Sequence, residues 1–148
     1  MHIPQDLLNG SICPVTAIAS GLCLAGAALA ASRSAEKPHP LRFAAVSAFL
    51  FAAQMMNFPI SAGTSGHLLG GVLASALLSV PFGVLAVALV VAIQALVFAD
   101  GGLTVLGANL LNMAVIGAGL GGWLRLALSR QRFLGGSQNW LATGLAAW

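Results

Sequence analysis

Apolar residues fill long stretches of the chain at 14–32, 43–58, 67–79, 81–99 and 103–124, and a further run opens at 140. A helix needs about 20 predominantly apolar residues to cross a bilayer. The pattern therefore predicts an all-α fold: a polytopic transmembrane helix bundle of five complete helices plus the start of a sixth, all in one domain spanning 1–148. Segment 1–13 stands outside the bundle. The sixth run, 140–148, is too short to span, so the chain reads as a fragment or a shortened form. The third run is short as well. At ~1.5 Å per residue, 67–79 rises only about 20 Å against a hydrocarbon core of about 30 Å. The preceding stretch, Phe58-Pro59-Ile60-Ser61-Ala62-Gly63-Thr64-Ser65-Gly66, is rich in helix breakers and hydroxyls and is expected to fold inward to complete that pass. Irregular backbone is tolerated at membrane depth only where protein covers it or it lines a cavity. His67, at the start of the short third helix, would then line a pocket.

The few charges orient this bundle. Arg33, Lys37 and Arg42 flank the first connection, and Arg125, Arg130 and Arg132 follow the fifth helix. Basic residues favour the cytoplasmic side. Alternation then puts the amino terminus, segment 59–66 and the turn Asp100-Gly101-Gly102 together on the outer face. No Lys or Arg remains there. The amino terminus lacks the basic region of a cleaved signal, and a bulky second residue protects the initiator methionine, so Met1 is expected to be the mature terminus.

Composition agrees with a bilayer as solvent. Apolar residues make up 59% of the chain and charged ones 6%, too few charges to build a water-facing surface. The 18 glycines suit helices whose backbones approach closely. The net charge of +3 comes from the two basic clusters beside apolar runs, which are topology signals and not a nucleic-acid surface. Cys13 and Cys23 lie at the edge of and inside the first run and read as small apolar residues, not as a disulfide framework or a zinc site.

Chemistry is concentrated at the start of the chain. In Met1-His2 the terminal amine and the His2 amide nitrogen can close a five-membered chelate ring on a metal, and that amide with the His2 ring Nδ1 a six-membered one. These two residues thus offer three nitrogens in one plane. Because the histidine is second and not third, a fourth ligand must come from elsewhere. His67 is the obvious donor, since His39 falls in the predicted cytoplasmic connection. A planar nitrogen set selects Ni(II) or Cu(II), admits Co(II), and disfavours tetrahedral zinc and oxygen-seeking magnesium or calcium. Protons compete for the same nitrogens. Taken alone, a histidine at position 2 reads as a tail residue. An ionisable residue at membrane depth, such as His67, is functional by default.

Other polar residues carry two readings each. Asn57, Thr64 and Ser65 can orient the imidazoles, or can cap helices, the better reading for Ser65. Asn109 and Asn112, three apart on one helical face, can point at the pocket or bond a neighbouring helix. Met55 and Met56 are adjacent and face different ways, which favours packing. Asp100 before two glycines reads as a helix-ending turn. Gly66-x-x-x-Gly70 and Gly117-x-x-x-Gly121 permit close helix crossing.

Four ordered motifs then carry a family resemblance. They are Met1-His2-Ile3-Pro4; the stretch Phe51 to Ile60, read FAAQMMNFPI; Gly63-Thr64-Ser65-Gly66-His67-Leu68-Leu69-Gly70-Gly71; and Phe98-Ala99-Asp100-Gly101-Gly102-Leu103 through Gly107, Asn109 and Asn112. Together they resemble the substrate-capture membrane subunit of the nickel/cobalt energy-coupling-factor transporters, from the first residue to about Gly121. The resemblance implies a subunit that binds Ni(II) or Co(II) through the amino terminus, His2 and His67. It further implies handover of the ion to a transmembrane coupling subunit with cytoplasmic ATPase subunits, often assisted by a small accessory membrane subunit. The chain is not expected to be an enzyme, and it has no Gly-x-x-x-x-Gly-Lys-Ser/Thr phosphate loop. Two departures stand out. Gln5-Asp6-Leu7-Leu8-Asn9 replaces the family's usual Asp-Gly-aromatic-Leu type of sequence, and the family normally has about seven passes. The rival readings are a capture subunit for an organic solute such as a vitamin, and a membrane assembly protein without a ligand.

Overall fold

The computed structural model describes residues 2–4, 7–8, 10–61 and 64–129, leaving aside the side chains of residues 60, 61, 64 and 65. Within these residues the chain forms five helices and one short hairpin, the all-α bundle that the apolar runs predict. Helix α1 is Ile12–Arg33, α2 Pro40–Met55, α3 Gly71–Leu78, α4 Val80–Val97 and α5 Leu106–Ser129. Three of them, α1, α4 and α5, are long and apolar enough to cross a membrane. The predicted sixth run, 140–148, lies outside the described residues.

Local chemistry sets the ends. Pro40 occupies the first turn of α2, where its missing N–H costs nothing, and the His39 ring accepts from the Leu41 N–H at 3.3 Å. His39 is thus a helix cap. Helix α2 starts before the predicted run 43–58 and stops short of its end, because the chain turns extended before Pro59. Strands β1 (Phe58–Ser61) and β2 (Thr64–Gly66) then form an antiparallel hairpin, with Phe58 opposite Gly66 and Pro59 opposite Ser65.

The third helix corrects the sequence reading. It begins at Gly71, not at His67, because Gly70 takes φ 69° at the capping position, a left-handed conformation that only glycine adopts freely. A Cβ on Gly70 would also collide with the Leu50 side chain. Ser65, expected to cap this helix, lies instead in β2. His67 therefore sits on an irregular strap, residues 67–70, between the hairpin and α3.

Lipid tails are as apolar as these side chains, so burial of one helix against another gains little from hydrophobicity, and close van der Waals contact must hold the bundle. Helix α4 is central and packs on α1, α2, α3 and α5. Leu50 of α2, Ala74 of α3, Val84, Val87 and Val91 of α4, and Met113 and Ala114 of α5 share one core. Glycine lets the backbones close in: a Cβ on Gly71 would lie 2.6 Å from the Gly117 carbonyl carbon, and one on Gly83 2.6 Å from Ser75 Cα. The Ser75 hydroxyl donates to the Ala118 carbonyl at 2.6 Å across the same crossing. The opposite extreme is α1, whose Val15, Ile18, Leu22 and Leu29 form an exposed apolar stripe. Such a stripe is at home facing lipid.

Helix α5 winds with i→i+5 hydrogen bonding over Leu110–Leu120. That winding adds residues to each turn. Asn109 and Asn112 consequently do not share a face: Asn109 is buried and Asn112 exposed.

Candidate functional site

One end of the bundle gathers the amino-terminal segment, the His67 strap, the α4–α5 connection and the start of α5. Packing there begins with Gly107, which rests directly on the Ala17 backbone of α1 and brings α5 against the first helix. Two residues later, Asn109 faces the amino-terminal segment. It is 1% exposed, yet both ends of its amide are engaged: the Ile3 N–H donates to Asn109 Oδ1 at 2.7 Å, and Asn109 Nδ2 donates to the Ile3 carbonyl at 3.2 Å. A side-chain amide that pairs both backbone groups of one residue acts as an extra strand residue would.

This grip delivers His2 into the bundle end. Its side chain is 3% exposed, and its ring stacks on that of His67 with centroids 5.7 Å apart and planes inclined by 27°. The pairing of residues so distant in sequence, expected for a shared ligand site, is present. His67 Nδ1 lies 3.0 Å from the Leu68 carbonyl. A carbonyl only accepts, so Nδ1 carries the proton and Nε2 presents its lone pair. His67 Nε2 and His2 Nε2 are both buried without a hydrogen-bond partner. Histidines that ligate metals commonly have one ring nitrogen held in this way by a carbonyl or carboxylate.

The strap that carries His67 is fixed from α2. Gln54, fully buried, donates from Nε2 to the Leu69 carbonyl at 2.8 Å, two residues beyond His67. Sequence reasoning did not single out Gln54. Its signal was available, as a glutamine inside an apolar helix needs a partner.

Asp100 is the second residue missed in this role. The chain leaves α4 through Ala99 at φ 54° and Gly101 at φ 89°, and the Asp100 N–H donates to the Gln94 carbonyl at 3.0 Å. This is the helix-ending turn that the Asp-Gly-Gly sequence predicts, but it also aims the carboxylate. Asp100 Oδ2 lies 3.1 Å from His2 Nδ1, and its side chain is 33% exposed, so it reaches solvent while His2 does not. An acidic residue alone among apolar runs, on the face expected to hold His2, was the signal. Gly101 is confined too: a Cβ there would lie 2.9 Å from His2 Cβ and 2.6 Å from Asn109 Nδ2.

The remaining expected residues divide. Asn57 and Asn112 are exposed. The side chains of Thr64 and Ser65 lie outside the described residues, as does Met1. Among the described residues no three His, Cys, Asp or Glu side chains cluster as a metal-binding group. Two imidazoles alone do not complete a coordination sphere, so backbone or terminal nitrogens would have to supply the rest.

The comparisons with known proteins agree with one another. The family described as "Cobalt uptake substrate-specific transmembrane region" matches residues 2–148. A putative fused nickel transport protein of Archaeoglobus fulgidus is 43% identical over 99% of this chain and 50% of its own length. A putative cobalt transport protein of Methanocaldococcus jannaschii is 34% identical over 79% of this chain and 51% of its own. The chain thus spans about half the length of the curated relatives it matches. A crystal structure of a transition metal transporter superposes with a TM-score of 0.77 at 35% identity, covering 99% of this chain and 68% of that one.

Proposed function

Because the chain belongs to the cobalt-uptake substrate-specific transmembrane family, we propose that it captures Ni(II) or Co(II) at the outer face of a cytoplasmic membrane for an ATP-driven importer. The observation that carries this reading is the stacked pair of imidazoles, His2 on His67, with His67 Nε2 buried and unpartnered. An unsatisfied buried acceptor costs about 1–3 kcal/mol. His67 Nε2, beside the His2 ring at one end of the bundle, makes sense as an acceptor that a cation satisfies.

The ligand set is the Met1 amine, the His2 amide nitrogen, His2 Nδ1 and His67 Nε2. Four nitrogens in a plane favour Ni(II), with Co(II) also served. Asn109 pins the backbone immediately after the chelating residues, and Gln54 pins the strap behind His67, so little freedom is lost when the ion binds. Asn57 and Asn112 are given no role, as both are exposed. Thr64 and Ser65 sit in the strand that leads to His67 and are kept as orienting residues.

The metal is cargo, so capture must be reversible and coupled to partners: a transmembrane coupling subunit, cytoplasmic ATPase subunits and a small accessory membrane subunit. The exposed apolar faces of α1 and α4 leave room for lipid and for such partners. The amino terminus is extracytoplasmic in this arrangement, as the distribution of Lys and Arg requires.

The test is elemental analysis of protein purified with an unmodified amino terminus and loaded with Ni(II). One ion per chain, lost in His67→Ala, is the expected result. Binding that survives both His67→Ala and His2→Ala would reject the site.

A further inference from the structure

The chelate and the observed geometry place competing demands on one atom. A six-membered ring with the His2 amide nitrogen can close only through Nδ1, since Nε2 lies too far around the imidazole. In the structure that same Nδ1 faces Asp100 Oδ2 at 3.1 Å. A nitrogen that donates its proton to a carboxylate has no lone pair left for a metal. Resting on the functional reading above, we infer that Asp100 is a counter-ligand: a positioning residue that competes with the metal for His2 Nδ1 and thereby sets how readily the bound ion leaves.

The surroundings restrict His2 to this exchange. Asn109 fixes the Ile3 backbone by two hydrogen bonds, so the chain next to His2 cannot slide. Gly101 presses on His2 Cβ from one side, and the His67 ring covers the imidazole on another. What remains is rotation of the imidazole about its Cβ–Cγ bond. In one position Nδ1–H donates to Asp100; in the other Nδ1 turns toward its own amide nitrogen. As the ion binds, the Nδ1 proton leaves through the Asp100 carboxylate, which reaches solvent, and Nε2 takes up a proton once the ring has turned; both transfers reverse as the ion departs. The His2 amide nitrogen gives up its proton to water on binding and regains it on release.

The turn that presents Asp100 supports a functional purpose. Ala99 takes φ 54° although it carries a side chain, and Gly101 follows at φ 89°. Left-handed backbone at a residue other than glycine persists where the surroundings require it and gathers at functional sites. Here the turn brings one carboxylate oxygen onto His2 while the side chain keeps access to water. The alternative role for such a carboxylate is to hold the ring so that Nε2 coordinates. The two roles predict opposite signs on removal of Asp100.

The experiment is dissociation of Ni(II) from the purified chain into excess EDTA, followed by stopped-flow absorbance, in the unaltered protein, Asp100→Ala, Asp100→Asn and His67→Ala. A hydrogen bond to a charged group is worth enough to shift the balance roughly tenfold. Asp100→Ala is therefore expected to release Ni(II) about tenfold more slowly, with the visible absorption band of planar Ni(II) unchanged. Asp100→Asn keeps an oxygen that accepts from Nδ1–H, so its rate should lie between the two. Release from Asp100→Ala that is unchanged or faster overturns the inference. Asp100→Leu, close in shape, gives the same reading should the alanine variant not fold. Loss of the ion in His67→Ala together with an unaltered rate in Asp100→Ala leaves the functional reading standing and removes only this inference. No Ni(II) bound by the unaltered protein removes both.

Discussion

Asn109 holds both backbone polar groups of Ile3, accepting from its N–H at 2.7 Å and donating to its carbonyl at 3.2 Å, across 106 residues of sequence. It does so one residue from His2. Replacing Asn109 by Leu, similar in size, removes both bonds and leaves the buried Ile3 groups without partners. Each such bond contributes about 1 kcal/mol. Ni(II) affinity is expected to fall at least tenfold in Asn109→Leu, measured by isothermal titration, while far-ultraviolet circular dichroism stays unchanged.

Gln54 does for the His67 strap what Asn109 does for the amino terminus, by donating to the Leu69 carbonyl at 2.8 Å from the end of α2. Gln54→Leu fits the same space but abandons that carbonyl. The strap is expected to loosen and Ni(II) binding to weaken severalfold. A binding constant equal to that of the unaltered protein would mean that Gly70, seated on Leu50, fixes the strap by itself.

Gly101 answers to two constraints at once, a φ of 89° and a Cβ position 2.9 Å from His2 Cβ. Gly101→Ala meets both. Backbone strain of this kind costs about 1–3 kcal/mol. The variant should melt at a lower temperature and bind Ni(II) more weakly than the unaltered protein. Gly21→Ala on α1, where a Cβ meets nothing within 4 Å, is the matched control and should leave both measurements unaffected.

Much of this arrangement was legible in the sequence, for identifiable reasons. Apolar runs fix helices because every backbone polar group must be satisfied inside a bilayer, so α1, α4 and α5 could be read from composition. The meeting of His2 and His67 followed from parity of passes. Other features depend on three-dimensional contact and leave only faint marks in a single sequence. The start of α3 at Gly71 depends on Gly70 lying against Leu50. The loss of a shared face between Asn109 and Asn112 depends on the wide winding of Leu110–Leu120, which no local residue pattern announces. Asp100 looked like a turn because it is one; that the turn also aims a carboxylate at His2 is visible only once α4 and the amino terminus are placed together.

The amino terminus itself gives the sharpest prediction. Among the described residues no group of three His, Cys, Asp or Glu side chains could hold a metal, and the remaining nitrogens of the proposed site come from the start of the backbone. Adding even one residue before Met1 moves the free amine out of the five-membered ring, places the histidine third, and turns the existing amine into a peptide nitrogen. The Asn109 grip on Ile3 prevents the segment from shifting to compensate. A Gly-extended chain and an amino-terminally acetylated chain should therefore both fold, with the same circular dichroism as the unaltered protein. The acetylated chain is expected to lose the absorption band of planar Ni(II), whereas the Gly-extended chain, whose third-position histidine completes a planar set with backbone nitrogens alone, should keep a planar band that His67→Ala no longer removes. Retention of that band in the acetylated chain would show that the amine is not a ligand and that the two imidazoles recruit their partners elsewhere.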